Sequence, residues 1–215
     1  MPHSKLVTIL RALKNKLDKV ERFAIAARRW AYPAKQAVVP KFTIYHKDLV
    51  IEMAFLRAYS AWESFLEESF ILYLWGKSPP LGTGPRRYAN PPTRKIAERL
   101  VLSEGRDYAD WSEAQNVVKR AERFFEEGQP YSDALRSQQS RLQDIKTIRN
   151  AIAHSSSFSW ERFQILIRRE LSTFPPGLTI GSFLDITVLG ISPPISYFEH
   201  YVSVIRLVAN AIVPN

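Results

Sequence analysis

Leu6, Leu10, Leu13, Leu17, Val20, Ala24 and Ala27 recur at alternating steps of four and three, which lays one apolar seam along a helix from about Ser4 to Arg29. Lys14, Lys16, Lys19 and Arg22 fall off that seam. Pro33 and Pro40 then mark a connector, because proline lacks the amide donor that a helix interior needs. From Tyr45 to Trp75 the positions Met53, Phe55, Leu56, Tyr59, Trp62, Phe65, Leu66, Phe70 and Leu74 cover much of a helical circumference, which predicts a central, buried second helix. Prolines and glycines crowd residues 76–92 into a loop. Short helices follow over Thr93–Leu102 and Ser112–Glu127, the latter capped by Ser112. A long helix over Tyr131–His154, another over Trp160–Leu171 and a last one over Ile195–Ile212 complete the pattern, with Thr173–Pro194 as loop and at most a short hairpin around Ile180–Leu189. The expected fold is an all-α multi-helix bundle with a long N-terminal helix. It reads as a single domain over 1–215, with a basic N-terminal helix and connector over 1–42 and a helical body over 43–215.

Charge is distributed unevenly over this framework. Of the formal +9, all is accounted for by residues 1–47, where eleven Lys and Arg stand against Asp18 and Glu21, while the remaining chain is balanced. A basic leading segment on a neutral body fits a surface that attracts polyanions, RNA among them, with Arg11, Lys14 and Lys19 as its contacts. It fits a solvated helix face equally well. Cysteine is absent, so disulfides, thiolate metal sites and cysteine nucleophiles are excluded. The apolar stretches Phe65–Trp75 and Tyr201–Val213 contain Glu67, Glu68 or Arg206 and fall short of the roughly 18–20 residues a bilayer requires, so no membrane partner is expected. The first seventeen residues scatter lysines among leucines without the compact apolar block of a secretory signal, and the expectation is a cytoplasmic protein.

Candidate chemistry concentrates in Arg149-Asn150-Ala151-Ile152-Ala153-His154. On a helix at about 100° per residue, Ile145, Ile148 and Ile152 share a sector roughly 60° wide that should face the core. Lys146, Thr147, Arg149, Asn150 and His154 occupy the other side, which gathers a guanidinium, an amide and an imidazole without a carboxylate. That combination suits an anion. Arg149 and His154 are roughly 140° apart on an ideal helix, so they converge only if the arginine bends across or the helix ends near His154, as Ser155–Ser157 suggest. Gly82-x-Gly84 lacks the strand and the Gly-Lys-Ser/Thr of a phosphate loop, and His3, His46, His154 and His200 lack zinc-site spacing, so no metal and no cofactor are expected.

The arginine, the polar residue after it and the histidine five positions on resemble the R-x4-6-H motif of HEPN domains. The resemblance extends over about residues 45–212, through AYSAWESFLEESF (Ala58–Phe70), YADWSEAQNVVKRAERFF (Tyr108–Phe125) and TIGSFLDI (Thr179–Ile186), which are similar to the RiboL-PSP-type branch of that superfamily. It implies an HEPN-like bundle and a metal-independent endoribonuclease. In that chemistry His154 removes the proton of the RNA 2′-hydroxyl, which attacks its own phosphodiester and leaves a 2′,3′-cyclic phosphate and a 5′-hydroxyl. An imidazole with its ordinary pKa near 6.5 can do this at neutral pH. Arg149 would hold the phosphate, Asn150 would orient the histidine or the phosphate, and Glu63 on the second helix would pair with Arg149. Lys146 would add to the RNA contacts. The family also implies a homodimer with a composite cleft, a toxin or phage-defence role, and an antitoxin or defence-system partner protein.

Other readings of the same residues remain. His154 also suits a helix C-terminus electrostatically, and Arg149 a solvent ion pair. The same surface would equally serve a non-catalytic module that binds RNA, a nucleotide or a protein, and the α-helical seam Leu6–Ala27 would serve a structural subunit. Trp62, Phe65, Phe70 and Trp75 read as core, and the pairs Arg28-Arg29, Arg86-Arg87, Arg94-Lys95 and Arg168-Arg169 as RNA-backbone contacts or solvated faces.

Overall fold

A computed structural model describes residues 4–31, 42–102 and 107–215. His3 and the connector marked by Pro33 and Pro40 lie outside the described residues. The fold is all-α, with 70% of the described residues in helix. The described residues form nine α-helices: α1 (Lys5–Ala31), α2 (Ile44–Leu74), α3 (Arg94–Leu100), α4 (Ala114–Phe124), α5 (Tyr131–Ser137), α6 (Gln139–Ala153), α7 (Ser157–Leu171), α8 (Ile180–Asp185) and α9 (Tyr197–Ile212). Among the described residues β-pairing is limited to two isolated antiparallel bridges, Arg87 with Phe125 and Thr187 with Ser196.

Residues cluster into two compact units, one of Met1–Asn15, Ala61–Gln143 and Val204–Asn215, the other of Lys16–Ser60 and Asp144–Ser203. The first has an aromatic core centred on Phe70, whose ring lies 4.9 Å from Phe125, 5.1 Å from Tyr131 and 5.3 Å from Trp111. The two buried phenols there are paired: Tyr131 donates to Ser69 Oγ at 2.9 Å and Tyr73 to the Ile212 carbonyl at 2.7 Å, so neither leaves an orphaned polar group. Four apolar residues of α4 (Val117, Val118, Ala121 and Phe124) are buried at helical spacing.

The second unit combines an aromatic core with a buried ionic network. Phe183 stacks on Tyr197 at 4.5 Å and meets Phe163 edge-on at 5.8 Å, while Phe55 lies 6.3 Å from both Phe198 and Tyr201. Beside them Lys47, only 3% exposed, donates to Asp185 Oδ2 at 2.6 Å. Arg28 also bonds Asp185, and it donates to Ser196 Oγ at 2.7 Å. Asp48 accepts from Thr179 Oγ1 at 2.6 Å, and Glu52 from the Gly181 amide at 2.9 Å. The network ties α1, α2, α8 and the start of α9 together; Arg28, Lys47, Asp48 and Asp185 tolerate burial because they are mutually paired, whereas Glu52 has the Gly181 amide in place of a cation.

Several expectations need correction. The short hairpin around Ile180–Leu189 is replaced by α8, because Thr179 Oγ1 accepts from the Ser182 amide at 3.0 Å while Ser182 Oγ accepts from the Thr179 amide at 2.9 Å, a reciprocal cap that starts a helix. Pairing shrinks to the single Thr187–Ser196 bridge. The helix expected over Tyr131–His154 breaks at Gln138, which has φ −121° and ψ 20°. Gln138 puts a polar group where the seam Tyr131, Leu135, Leu142, Ile145 would need an apolar one. Ser112 does not cap α4: the cap position is Glu113, without a side-chain bond. Trp75 is half-buried, the first residue beyond α2, with the Lys77 ammonium 4.1 Å and the Lys5 ammonium 5.0 Å from its ring. Finally, Leu6, Leu10, Leu13, Leu17, Val20, Ala24 and Ala27 are all buried, so the α1 seam is covered within the chain and offers no surface to a second copy.

Candidate functional site

α6 ends at Ala153, and its last turns carry the polar face read from the sequence. Ile145 and Ile148 are buried and Ile152 half-buried on the opposite side, while Arg149 and Asn150 are half-buried and His154 is exposed. Because the helix stops there, side chains 140° apart on an ideal wheel can meet. Arg149 Nη1 donates to Asn150 Oδ1 at 3.1 Å and lies 3.4 Å from His154 Nε2. The His154 amide still donates to the Asn150 carbonyl at 2.9 Å, so the imidazole leaves the chain just where backbone bonding ends.

Tyr59, on α2 and only 3% exposed, lies under the arginine, with the guanidinium carbon 5.5 Å from its ring centroid. That distance is within the ~6 Å of a cation–π contact, and the buried ring limits where the guanidinium can go. Arg169 near the far end of α7 donates to the buried Asp144 carboxylate of α6 at 2.6 Å and so ties the helix pair behind the site, while Ser156 caps the start of α7 by accepting from the Ser159 amide at 3.2 Å.

The 3.4 Å approach of Arg149 to His154 is a weak bond by length. As a hydrogen bond it casts Nε2 as the acceptor, since a guanidinium can only donate. An arriving phosphate competes for the same guanidinium donor, since an anionic oxygen is a better acceptor than an imidazole nitrogen. Chemically the arrangement can hold an oxyanion and accept a proton beside it.

No protein-family model, no curated protein and no solved structure matches this chain.

Of the candidate residues, Arg149, Asn150 and His154 come together. Lys146 is half-buried one turn earlier on α6. Glu63 lies on α2 within the first unit, whereas Arg149, Asn150 and His154 belong to the second. Arg11, Lys14 and Lys19 all lie on α1, Arg11 and Lys19 exposed and Lys14 half-buried; the first two belong to the first unit and Lys19 to the second. The paired bases are largely committed within the protein. Arg28 and Arg169 serve the bonds described above, Arg94 bonds Glu68 and Glu98 at 2.7 Å each, and Arg87 donates to the Leu74 carbonyl at 3.0 Å. Tyr59 was not legible as a site residue, because in the apolar pattern of α2 it is indistinguishable from its core neighbours. Among the described residues no group of three or more His, Asp or Glu is placed to hold a metal ion, and no helix is long and apolar enough to cross a membrane.

Proposed function

We propose that this chain is a metal-independent endoribonuclease of the HEPN type, acting in the cytoplasm as a toxin or phage-defence component. The observation that carries the reading is the convergence of Arg149, Asn150 and His154 at the exposed end of α6, with the guanidinium braced over Tyr59. Arg149 binds the scissile phosphate, and Asn150 keeps the guanidinium in line. His154 takes the 2′-hydroxyl proton, the 2′-oxygen bonds to phosphorus, and the P–O5′ bond breaks. The departing 5′-oxygen collects a proton from a second acid, which a second copy of the chain supplies through its own motif histidine. A partner protein restrains the activity until it is needed.

Cleavage of a defined RNA by the pure protein, with and without chelator, tests this. His154→Ala should lower cleavage by about 10²–10⁴-fold while leaving RNA binding nearly intact, since a neutral imidazole adds little ground-state affinity. Arg149→Ala should weaken both, and RNA with a 2′-deoxy residue at the cut site should resist. Wild-type cleavage by the His154→Ala protein, or cutting of the deoxy substrate, would remove the enzyme reading. One observation favours the second reading, a non-catalytic module that holds RNA, a nucleotide or a protein: Arg149 already faces Nε2, the atom a base needs. Tight RNA binding without any cleavage would select it.

A further inference from the structure

The outward face of α4 is as regular as its buried one. Asn116, Lys119, Arg120 and Arg123 fall at i, i+3, i+4 and i+7, so their side chains line one stripe opposite the valines. With Tyr108 and Asp110 from the preceding segment they bound a recess of about 410 Å³, within the ~300–1,000 Å³ of small-molecule sites. All of it belongs to the first unit.

Its three cations outnumber the acids beside them, Asp110 and Glu67, which act on Arg120 without an ion pair. Among the described residues no carboxylate forms an ion pair with Lys119, Arg120 or Arg123. Asp110, an acid on the wall, is engaged locally: Oδ1 accepts from the Ser112 amide at 2.8 Å and Oδ2 lies 3.5 Å from Asn116 Nδ2. Arg120 is half-buried, its guanidinium 4.4 Å from the Trp111 ring and its Nη1 donating to the Asp110 carbonyl at 3.1 Å. Burial pushes its pKa down despite the nearby Asp110 and Glu67, the expected response of a cation that lacks a bonded counter-ion. A guanidinium fixed this way is oriented before a ligand arrives, and two exposed cations flank it, Lys119 and Arg123, the latter 5.4 Å from the Phe124 ring. At the rim the Tyr108 ring is 71% exposed, an aromatic face available for stacking.

We propose that this recess binds the phosphate of a nucleotide, with Arg120, Lys119 and Arg123 around the phosphate and Tyr108 against the base. The same chemistry is met in a free mononucleotide and in one residue of an RNA strand. Neither Arg149 nor His154 is among its residues, and the proposal does not depend on cleavage.

Titration calorimetry of the full chain with adenosine 5′-monophosphate, ribose 5-phosphate and adenosine tests it. The monophosphate should bind at least tenfold more tightly than adenosine, and ribose 5-phosphate should fall between them. Lys119→Ala with Arg123→Ala, both exposed and without ion-pair partners to lose, should weaken the monophosphate at least tenfold at unchanged melting temperature. Tyr108→Ala should reduce it to the level of ribose 5-phosphate. Competition by a single-stranded RNA at equal nucleotide concentration would identify the strand as the source, and lack of competition the free nucleotide. The proposal is overturned if no phosphate-bearing probe binds, if the double variant binds as wild type does, or if Arg149→Ala instead abolishes the monophosphate signal. That last result would move the site to α6, whereas loss of cleavage alone leaves this proposal untouched.

Discussion

Glu52 and Glu199 are two part-buried acids of the same unit whose surroundings act in opposite senses. Burial raises the Glu52 pKa, the neighbouring Asp48 adds to the rise, and the Gly181 amide only partly offsets it. At Glu199 burial also pushes upward, but the Ser196 hydroxyl and amide and the Arg28 guanidinium outweigh it, so its pKa is lowered. An acid with a raised folded pKa costs stability when ionised, and the cost disappears as pH falls through that pKa. Glu52→Gln should therefore stabilise the protein at pH 7 and make no difference below about pH 4, near the ordinary carboxylate value. Glu199→Gln should do the reverse, lowering stability at neutral pH by an amount that fades as pH falls through the depressed pKa. Urea unfolding of both variants at pH 7 and pH 4 reads the signs directly. A destabilised Glu52→Gln at pH 7 would mean that the charged bond to Gly181 outweighs burial. At the candidate site the same residue-scale logic explains what could be read in advance. Arg149, Asn150 and His154 declare themselves by chemical type and spacing, whereas Tyr59 acts through its ring face, for which the linear pattern holds no sign.

Among the elements, the long amphipathic helices were legible because a seam of many positions outvotes any single exception. α1 and α2 begin and end within two residues of the boundaries the periodicity predicts. α8 was not, because a six-residue helix has too few positions for a period to register, and Ile180 and Phe183 suit a strand as well. The signal that finds it is the Thr179-x-x-Ser182 cap. The break at Gln138 was missed for the opposite reason, since one polar residue in a good seam ordinarily costs a helix little. α8 also shows why Gly181 stands where it does: a Cβ there would lie 2.5 Å from both the Asp48 Cα and its carbonyl oxygen, so only glycine lets α8 approach α2 this closely. Gly181→Ala should force the two helices apart and cost about 1–3 kcal/mol, the range of overpacked cores, measured by chemical unfolding. A neutral result would mean that α8 yields without resistance. α1 carries a second prediction at this scale. Replacing Arg11, Lys14 and Lys19 by glutamate should weaken RNA binding and flatten the log-affinity against log-salt slope by about two if each meets a phosphate of a single strand. An unchanged slope assigns the basic face to solvent.

For the whole molecule the open variable is assembly, and the proposed chemistry constrains it. Transesterification benefits from a base at the 2′-oxygen and an acid at the 5′-oxygen, and each chain carries one motif histidine. The α1 seam cannot join two copies, since its seven apolar positions are all buried within the chain. Any dimer must therefore meet through another surface, and exposed apolar residues such as Tyr45, Leu49 and Met53 at i, i+4 and i+8 of α2 show that such surface exists. If cleavage needs two histidines from two chains, His154→Ala protomers co-expressed with wild type should act as poisons. In a random mixture, only pairs of wild-type chains would be active, so specific activity should fall as the square of the wild-type fraction. A site complete within one chain gives a straight line instead. Sedimentation at micromolar concentration should show a species twice the 24.7 kDa of the chain, and dilution should cost specific activity. A linear mixing curve together with a fully active 24.7 kDa species would place both proton transfers within one protomer, and the acid would then have to be sought among its own residues.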